Sequence, residues 1–259
     1  MEPRLPSLFH LIALDTVDST NAEARRLAEK GPKETPEGTI VWAMEQTAGR
    51  GRRGREWQSR KGNFFCSLVL RPEVPLAEAA QFSFIAALSV FDAIGTLGPP
   101  GINVSTKWPN DVLISGRKTA GILLEAEGGA DGKTPPDFVI AGVGVNLISY
   151  PDDGETEFPA TCLSEEGARV LAHEFLDSFA KHFLAWTRLW VDEGFERIRK
   201  NWLWRCDQVD KKIEVRLADR TMTGVFKGLD DSGALLLETD DGLRTVAAGN
   251  VYFPAGGGD

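Results

Sequence analysis

Glu45-Gln46-Thr47-Ala48-Gly49-Arg50-Gly51-Arg52-Arg53-Gly54-Arg55-Glu56-Trp57 is the stretch on which the reading of this chain turns. Three glycines and four arginines fall between Gly49 and Arg55. Glycine admits positive φ and lets a ligand approach backbone N–H groups closely. Arginine presents a fixed fork of donors that matches phosphate or carboxylate. Together they describe a loop that closes over an anion. It is anchored between two strand-like runs, Thr39 to Glu45 and Asn63 to Arg71, so it belongs to a sheet rather than to a free tail. Arg-Gly runs also bind RNA without specificity or serve as solvated surface, and from the loop alone those readings stay open.

Composition narrows the field. A chain of 259 residues, 42% of them hydrophobic, suits one large domain or a domain plus a small module, with a sizeable core. The net charge of −9 counts against a general nucleic-acid binder, which is usually basic on at least one face. Cys66, Cys162 and Cys206 are an odd number at wide spacing, and no Cys-x-x-Cys occurs. That pattern suggests neither a disulfide framework nor zinc, but reduced thiols in the cytoplasm. The apolar run Leu8 to Leu14 is followed at once by Asp15 and Asp18 and reads as a first strand, not a signal peptide. No run approaches the roughly 20 apolar residues of a membrane span, so no membrane partner is expected.

Thr20-Asn21-Ala22-Glu23 reads as a capping box, with Thr20 as N-cap of a helix reaching about Lys30 before Gly31-Pro32. Helical spacing continues over Leu76 to Leu97, again from Ser164 and over Asp192 to Arg205. Val104 to Trp108 is a short strand running into Pro109. Asp111 to Ile114 and Lys118 to Ala126 form a hairpin, and Asp137 to Leu147 returns with Gly142 and Gly144 open to close approach. His173 and His182 read as surface or core histidines. From about Asp207 the composition shifts to short strands, Lys212 to Leu217, Met222 to Leu229, Ala234 to Glu238 and Leu243 to Val246, separated by Asp-rich turns.

Four further runs, in order, give these features a direction: Asp18-Ser19-Thr20-Asn21, Lys107-Trp108-Pro109-Asn110-Asp111, Gly116 to Glu125, and Gly142-Val143-Gly144-Val145-Asn146-Leu147. With the glycine–arginine loop, this ordered set resembles the biotin–protein ligases from about Asp15 to the C-terminus. The resemblance implies an α+β fold. A mixed β-sheet flanked by helices, as in class II synthetases, would form a catalytic domain over residues 1–206, and a small SH3-like β-barrel would cover residues 207–259. It implies a two-step reaction in which biotin attacks the α-phosphorus of ATP and biotinyl-AMP then acylates a lysine of a biotin carboxyl carrier domain. ATP would bring Mg²⁺, with protein ligands unknown. Ser19, Thr20, Asn21, Gln46 and Gly121 would bind biotin, the Gln46 amide both donating to and accepting from the ureido group. Arg50, Gly51 and Arg52 would clamp carboxylate and phosphates. Arg53, Trp57, Asn110, Lys118 and Asn146 would serve the nucleotide, Trp57 by stacking and Asn146 on adenine. Lys107 would be the catalytic donor, with Arg52 beside it. Cys162 and Asn250 depart from the family pattern, where serine and an acidic residue are usual.

Lipoate and octanoate enzymes of the same superfamily are the alternative. The intact loop and the Lys107–Asp111 run favour biotin. About fourteen residues precede the resemblance, too few for a winged helix-turn-helix, so no DNA partner is expected. A homodimer stays open. No Walker A, Gly-x-Ser-x-Gly or His-Glu-x-x-His is present.

Overall fold

The computed structural model describes residues 3–129, 131, 133–152, 158–217, 219–247 and 249–252; residues 253–259, assigned above to the C-terminal module, lie outside it. Its larger sheet consists of β1 (His10–Val17), β2 (Thr39–Gln46), β3 (Phe64–Leu70), β4 (Val104–Lys107), β5 (Asp111–Ile114), β6 (Arg117–Gly128) and β7 (Pro136–Val145). Their order is β1-β2-β3-β7-β6-β5-β4, and β1 pairs with β2 in parallel while the other pairs are antiparallel.

Strand alternation sorts the side chains onto two faces. Ile40, Trp42, Cys66, Leu68, Val139, Ala141 and Val143 join the main core with the helices α3 (Phe82–Leu97), α4 (Ala172–Glu193) and α5 (Phe195–Trp204). Val41, Val69, Phe138 and Ile140, the residues between them, pack on Ala24 and Ala28 of α1 (Thr20–Ala28). Both faces of β3 are therefore covered, which is why Phe64–Leu70 reads as a continuous apolar run. Phe64 lies 5.0 Å from Phe175 between ring centroids. Each fully buried aromatic of this kind contributes on the order of 1.5–3 kcal/mol through area removed from water.

Several boundaries differ from the sequence reading. Thr20 is the first helical residue and Ser19 the N-cap, without a side-chain cap bond. The Thr20 N–H and hydroxyl both point to Gln46 Oε1, and Glu23 pairs with Arg26, so the expected capping box is not formed. The segment from Leu76 to Leu97 is two helices, α2 (Leu76–Ala79) and α3. With a mean hydropathy of 1.5 it is long and apolar enough to match a membrane span, against the expectation of none. Its apolar side chains instead fill the protein core, where Ile85, Leu88 and Ile94 are fully buried. The helix expected from Ser164 starts only at Ala172, because Gly167 takes φ 84° and the chain turns there. Gly194, at φ 74°, separates α4 from α5, two residues beyond the start expected for the second helix at Asp192.

The C-terminal strands β8 (Lys212–Arg216), β9 (Thr221–Leu229), β10 (Leu235–Thr239), β11 (Gly242–Val246) and β12 (Asn250–Tyr252) form an antiparallel sheet ordered β11-β10-β9-β8-β12. Among the described residues β11 and β12 do not pair, so the sheet is not a closed barrel. It shares the main core with α3 through Val215, Phe226, Leu235 and Val251. The Gly233 turn fits against Phe84 and Phe195 and accepts the Trp108 indole N–H at 3.1 Å.

Candidate active site

A cavity of about 420 Å³ opens on the α1 face of the large sheet, beyond the N-terminus of that helix. The room comes from glycine. A Cβ on Gly142 would lie 2.0 Å from Asn21 Oδ1, and one on Gly144 would lie 2.6 Å from the Trp57 ring. Gly121 pairs with Gly144 across β6 and β7, so the two together make a flat floor on which the Trp57 indole rests.

The end nearest α1 is neutral and closely hydrogen-bonded. Ser67 Oγ is 2.6 Å from Asn21 Oδ1 and 2.8 Å from Thr20 Oγ1. Each hydroxyl has one proton: Thr20 donates to Gln46 Oε1 at 3.0 Å, and Ser67 directs its proton to Asn21 Oδ1 and Thr20 Oγ1. Gln46 Oε1 then accepts the Thr20 N–H at 2.7 Å, and Gln46 Nε2 donates to Ser59 Oγ at 2.7 Å. Ser59 donates onward to the Trp57 carbonyl at 2.9 Å. Asn21 Nδ2 donates to Glu125 Oε2 at 2.8 Å. These directions fix both side-chain amides, so the floor presents a set pattern of donors and acceptors.

The opposite end is charged. Asp111 opposes Lys107 in the β4–β5 register. Its carboxylate lies 2.6 Å from Lys118 Nζ and 3.8 Å from Lys107 Nζ. Burial by itself would raise the Asp111 carboxyl; Lys118, Lys107 and Arg52 outweigh it and hold the group below the ordinary carboxylate value. Arg52 is mostly buried, and desolvation lowers its guanidinium pKa against the attraction of Asp111. Its Nη1 donates to Asn110 Oδ1 at 3.0 Å. Lys107 is buried, and its ammonium lies 3.1 Å from the centroid of the Phe158 ring, which stacks on Tyr252 at 4.6 Å.

The glycine–arginine loop spans the cavity as a compact turn. Gly51 N–H donates to the Arg55 carbonyl at 2.7 Å, and Trp57 N–H to the Gly49 carbonyl at 3.0 Å. A Cβ at Gly49 would fall 2.3 Å from the Trp57 carbonyl oxygen, so this turn requires glycine there. Arg53 sits exposed at the tip with φ 57° and does not line the cavity.

Most of the residues singled out in the sequence converge here, with changes of partner. Ser19, Thr20, Asn21, Gln46, Gly51, Arg52, Trp57, Lys107, Asn110, Lys118, Gly121 and Asn146 all line the cavity. Arg50 lines it too, yet its guanidinium pairs with Glu125 at 3.1 Å, away from the lysines. Asn146 Nδ2 donates to the Thr161 carbonyl at 3.1 Å. Sequence reasoning passed over Ser67, Ser59, Glu125, Phe158 and the part played by Asp111. The signal was available: Ser67 is a polar side chain inside the otherwise apolar β3, and Glu125 directly follows the apolar run Ile122–Leu124 in β6. His182 is far from this chemistry, 3.1 Å from Thr96 Oγ1 on α3. Cys162 Sγ contacts Ser164 Oγ at 3.2 Å, and Asn250 lines the cavity. Among the described residues no three His, Cys, Asp or Glu side chains gather as a metal would require.

Comparison with known proteins gives a consistent result. Residues 5–204 match the Biotin/lipoate A/B protein ligase family, and residues 210–253 match the Biotin protein ligase C terminal domain. The chain is 43% identical over 244 residues to a biotin–[acetyl-CoA-carboxylase] ligase of Paracoccus denitrificans, covering 93% of this chain and 99% of that one. It is 37% identical over 251 residues to the bifunctional ligase/repressor BirA of Bacillus subtilis, covering 93% and 73%. Its fold is similar to that of the biotin protein ligase from Aquifex aeolicus in complex with biotin and ATP, with a TM-score of 0.78, 28% identity and coverage of 94% and 97%.

Proposed function

The chain belongs to the Biotin/lipoate A/B protein ligase family, and from that premise we propose that its cavity holds biotin at the neutral end and the α-phosphate of ATP at the charged end. The protein is a biotin–[acetyl-CoA-carboxylase] ligase: it activates biotin as biotinyl-AMP and transfers it to a lysine of a carboxylase carrier domain. The observation that carries the site assignment is the gathering of Lys107, Lys118 and Arg52 on Asp111, at the far end of a cavity whose other end is a neutral hydrogen-bonding floor.

The chemistry suits that division. Biotin's carboxylate is already ionised at neutral pH, so its attack on the α-phosphorus needs no general base. One of its oxygens bonds to phosphorus and pyrophosphate leaves. What the protein must supply is charge neutralisation where two anions meet, and one preorganised donor is worth about 10²–10³ in rate. Lys107, buried and held beside Asp111, is that donor. Arg52, fastened to Asn110, would hold the phosphate side, with Lys118 beside it. In the second step a neutral carrier lysine attacks the acyl carbon and AMP leaves, so the same cations stabilise the leaving phosphate. Ser19, Thr20, Asn21 and Gln46 would read the ureido ring over Gly121, and Trp57 and Asn146 would border the nucleotide. Mg²⁺ would be held chiefly by ATP's own phosphates, with Asp111 the carboxylate at that end; it adds charge stabilisation to pyrophosphate departure.

Other parts of the reading are inferences of the same kind. The catalytic domain would end at residue 206, and the C-terminal module would run over residues 207–259. Three free buried cysteines fit a reducing, cytoplasmic setting. The acidic balance disfavours DNA, and the burial of Leu76–Leu97 gives a membrane no purchase on that segment. The outer edge of β1 is the surface on which a homodimer would extend the sheet.

Incubation with biotin, Mg·ATP and a carrier domain tests the function. A single biotin-sized mass gain on one carrier lysine is expected. Labelling by lipoate or octanoate alone would overturn the reading in favour of the sister enzymes.

A further inference from the structure

We propose that Glu125 is a positioning residue that latches the glycine–arginine loop to the floor of the biotin site, so that closing the loop and setting the floor are one event. The proposal rests on the functional reading above.

Glu125 stands opposite Ile140 in the β6–β7 register, on the face of the sheet that carries α1 and the cavity. A carboxylate on the covered face of a strand costs desolvation unless both oxygens are satisfied. Here they are satisfied from two different directions. Oε2 accepts from Asn21 Nδ2 at 2.8 Å, and Oε1 pairs with the Arg50 guanidinium at 3.1 Å. Asn21 has little freedom to turn away: its Oδ1 receives Ser67 at 2.6 Å and sits where Gly142 lacks a side chain. One side of the carboxylate is thus bonded to a residue fixed in the floor and the other to a residue of the loop. The base of the loop is held to the end of β1 by Thr47 N–H to the Val17 carbonyl and Ala48 N–H to the Asp18 carbonyl, while beyond Ala48 the backbone bonds run within the loop, Gly51 to Arg55 and Trp57 to Gly49. Arg50 therefore does a different task from Arg52. Arg52 reaches Asn110 and the charged end, while Arg50 ties the loop down over the neutral end.

Charge-neutral replacement separates the two contacts. Glu125→Gln keeps an oxygen that accepts from Asn21 and loses the charge that faces Arg50. Arg50→Gln removes the same pair from the loop side. With biotinyl-AMP formed in place from biotin and Mg·ATP, each single variant should release the intermediate about 2–5-fold faster than wild type, the scale of a partly exposed ion pair. The double variant Arg50→Gln/Glu125→Gln should release it no faster than the faster single variant. Raising salt should speed release from wild type towards the rate of the variants and change the variants less. A residue that merely fastens α1 to the sheet would show no coupling to Arg50. Multiplicative effects of the two substitutions, or normal release from Glu125→Gln, would overturn the latch while leaving the ligase reading intact. Wild type that forms no adenylate at all would overturn the ligase reading and the latch with it.

Discussion

The two ends of the cavity solve opposite problems. At the α1 end Thr20, Asn21, Gln46, Ser59 and Ser67 are themselves uncharged, the Glu125 carboxylate bonded to Asn21 is paired with Arg50, and order comes from hydrogen bonds among hydroxyls and amides. At the other end Lys107, Lys118 and Arg52 are drawn together by a single buried carboxylate, Asp111. The first arrangement discriminates, because a ligand with the wrong donor pattern strands a buried polar group. The second accelerates, because cations already in place need no reorganisation when charge develops. Substitutions at the two ends should accordingly fail in different kinetic constants.

The largest effect is expected at Lys107. Lys107→Gln should slow adenylation by about 10²-fold or more, with biotin affinity much less affected, and Lys107→Arg should not restore it because a planar fork cannot occupy the site of a point charge. Single-turnover kinetics of each half-reaction checks this, beside a thermal melt. Near-normal adenylation in Lys107→Gln would remove the lysine from the chemistry. Arg52→Gly comes next. It takes away the side chain bonded to Asn110 and should release biotinyl-AMP on the order of 10-fold faster, so that free adenylate labels lysines indiscriminately. Retention as tight as in wild type would place Arg52 outside the clamp.

Ser67→Ala tests the neutral end. It leaves Asn21 Oδ1 without the Ser67 donor and removes the contact from Ser67 to Thr20 Oγ1. The cost of about 1–3 kcal/mol for a stranded buried polar group should fall mainly on biotin affinity and fold stability, with the adenylation rate at saturating biotin reduced far less. Titration calorimetry and the same single-turnover assay separate the two. A rate loss equal to that of Lys107→Gln would erase the distinction between the ends.

That division also decides what could be read from sequence. The charged end announces itself, since arginines between glycines and a lysine beside Trp108-Pro109 are unusual in apolar surroundings. The neutral end does not. Ser67 lies inside Phe64–Leu70 and Glu125 closes an apolar run, and neither reveals its partner until α1 brings Asn21 between them. Apolar runs placed the strands, and that of β3 is continuous because both faces of the sheet are covered. The helix start was missed past Gly167, where positive φ interrupts the run, and the expected break near Asp192 falls two residues later, at Gly194. The C-terminal strands were legible as strands. That β11 and β12 do not pair among the described residues was not, because such pairing depends on geometry at the ends of the sheet that local pattern does not encode.

The smallest predicted effect concerns acid. Asp18, next to the neutral end, and Asp111, at the charged end, both have depressed carboxyl pKa values, for different reasons. Arg26 bonds to Asp18 at the surface and lowers it from 3.8 to about 2. Asp111 is lowered in spite of its burial by the three cations around it. A carboxyl depressed on folding adds stability above its unfolded pKa and loses it as pH falls through its folded pKa. Neither group should therefore make stability change between pH 5 and pH 8, roughly. For Asp18 the window lies between 3.8 and about 2. Its side chain is 48% exposed, so solvent screening reduces the pair to the ordinary surface value of about 0.2–1 kcal/mol. Asp18→Asn should lower the melting temperature slightly at neutral pH, and the difference from wild type should shrink as pH falls from 3.8 through about 2, where the wild-type carboxyl also takes up a proton. Melting curves of both proteins across that range measure it. A difference that stays constant with pH would mean that Asp18 holds the start of α1 through its bond to the Ser19 N–H, at 2.8 Å, and not through its charge.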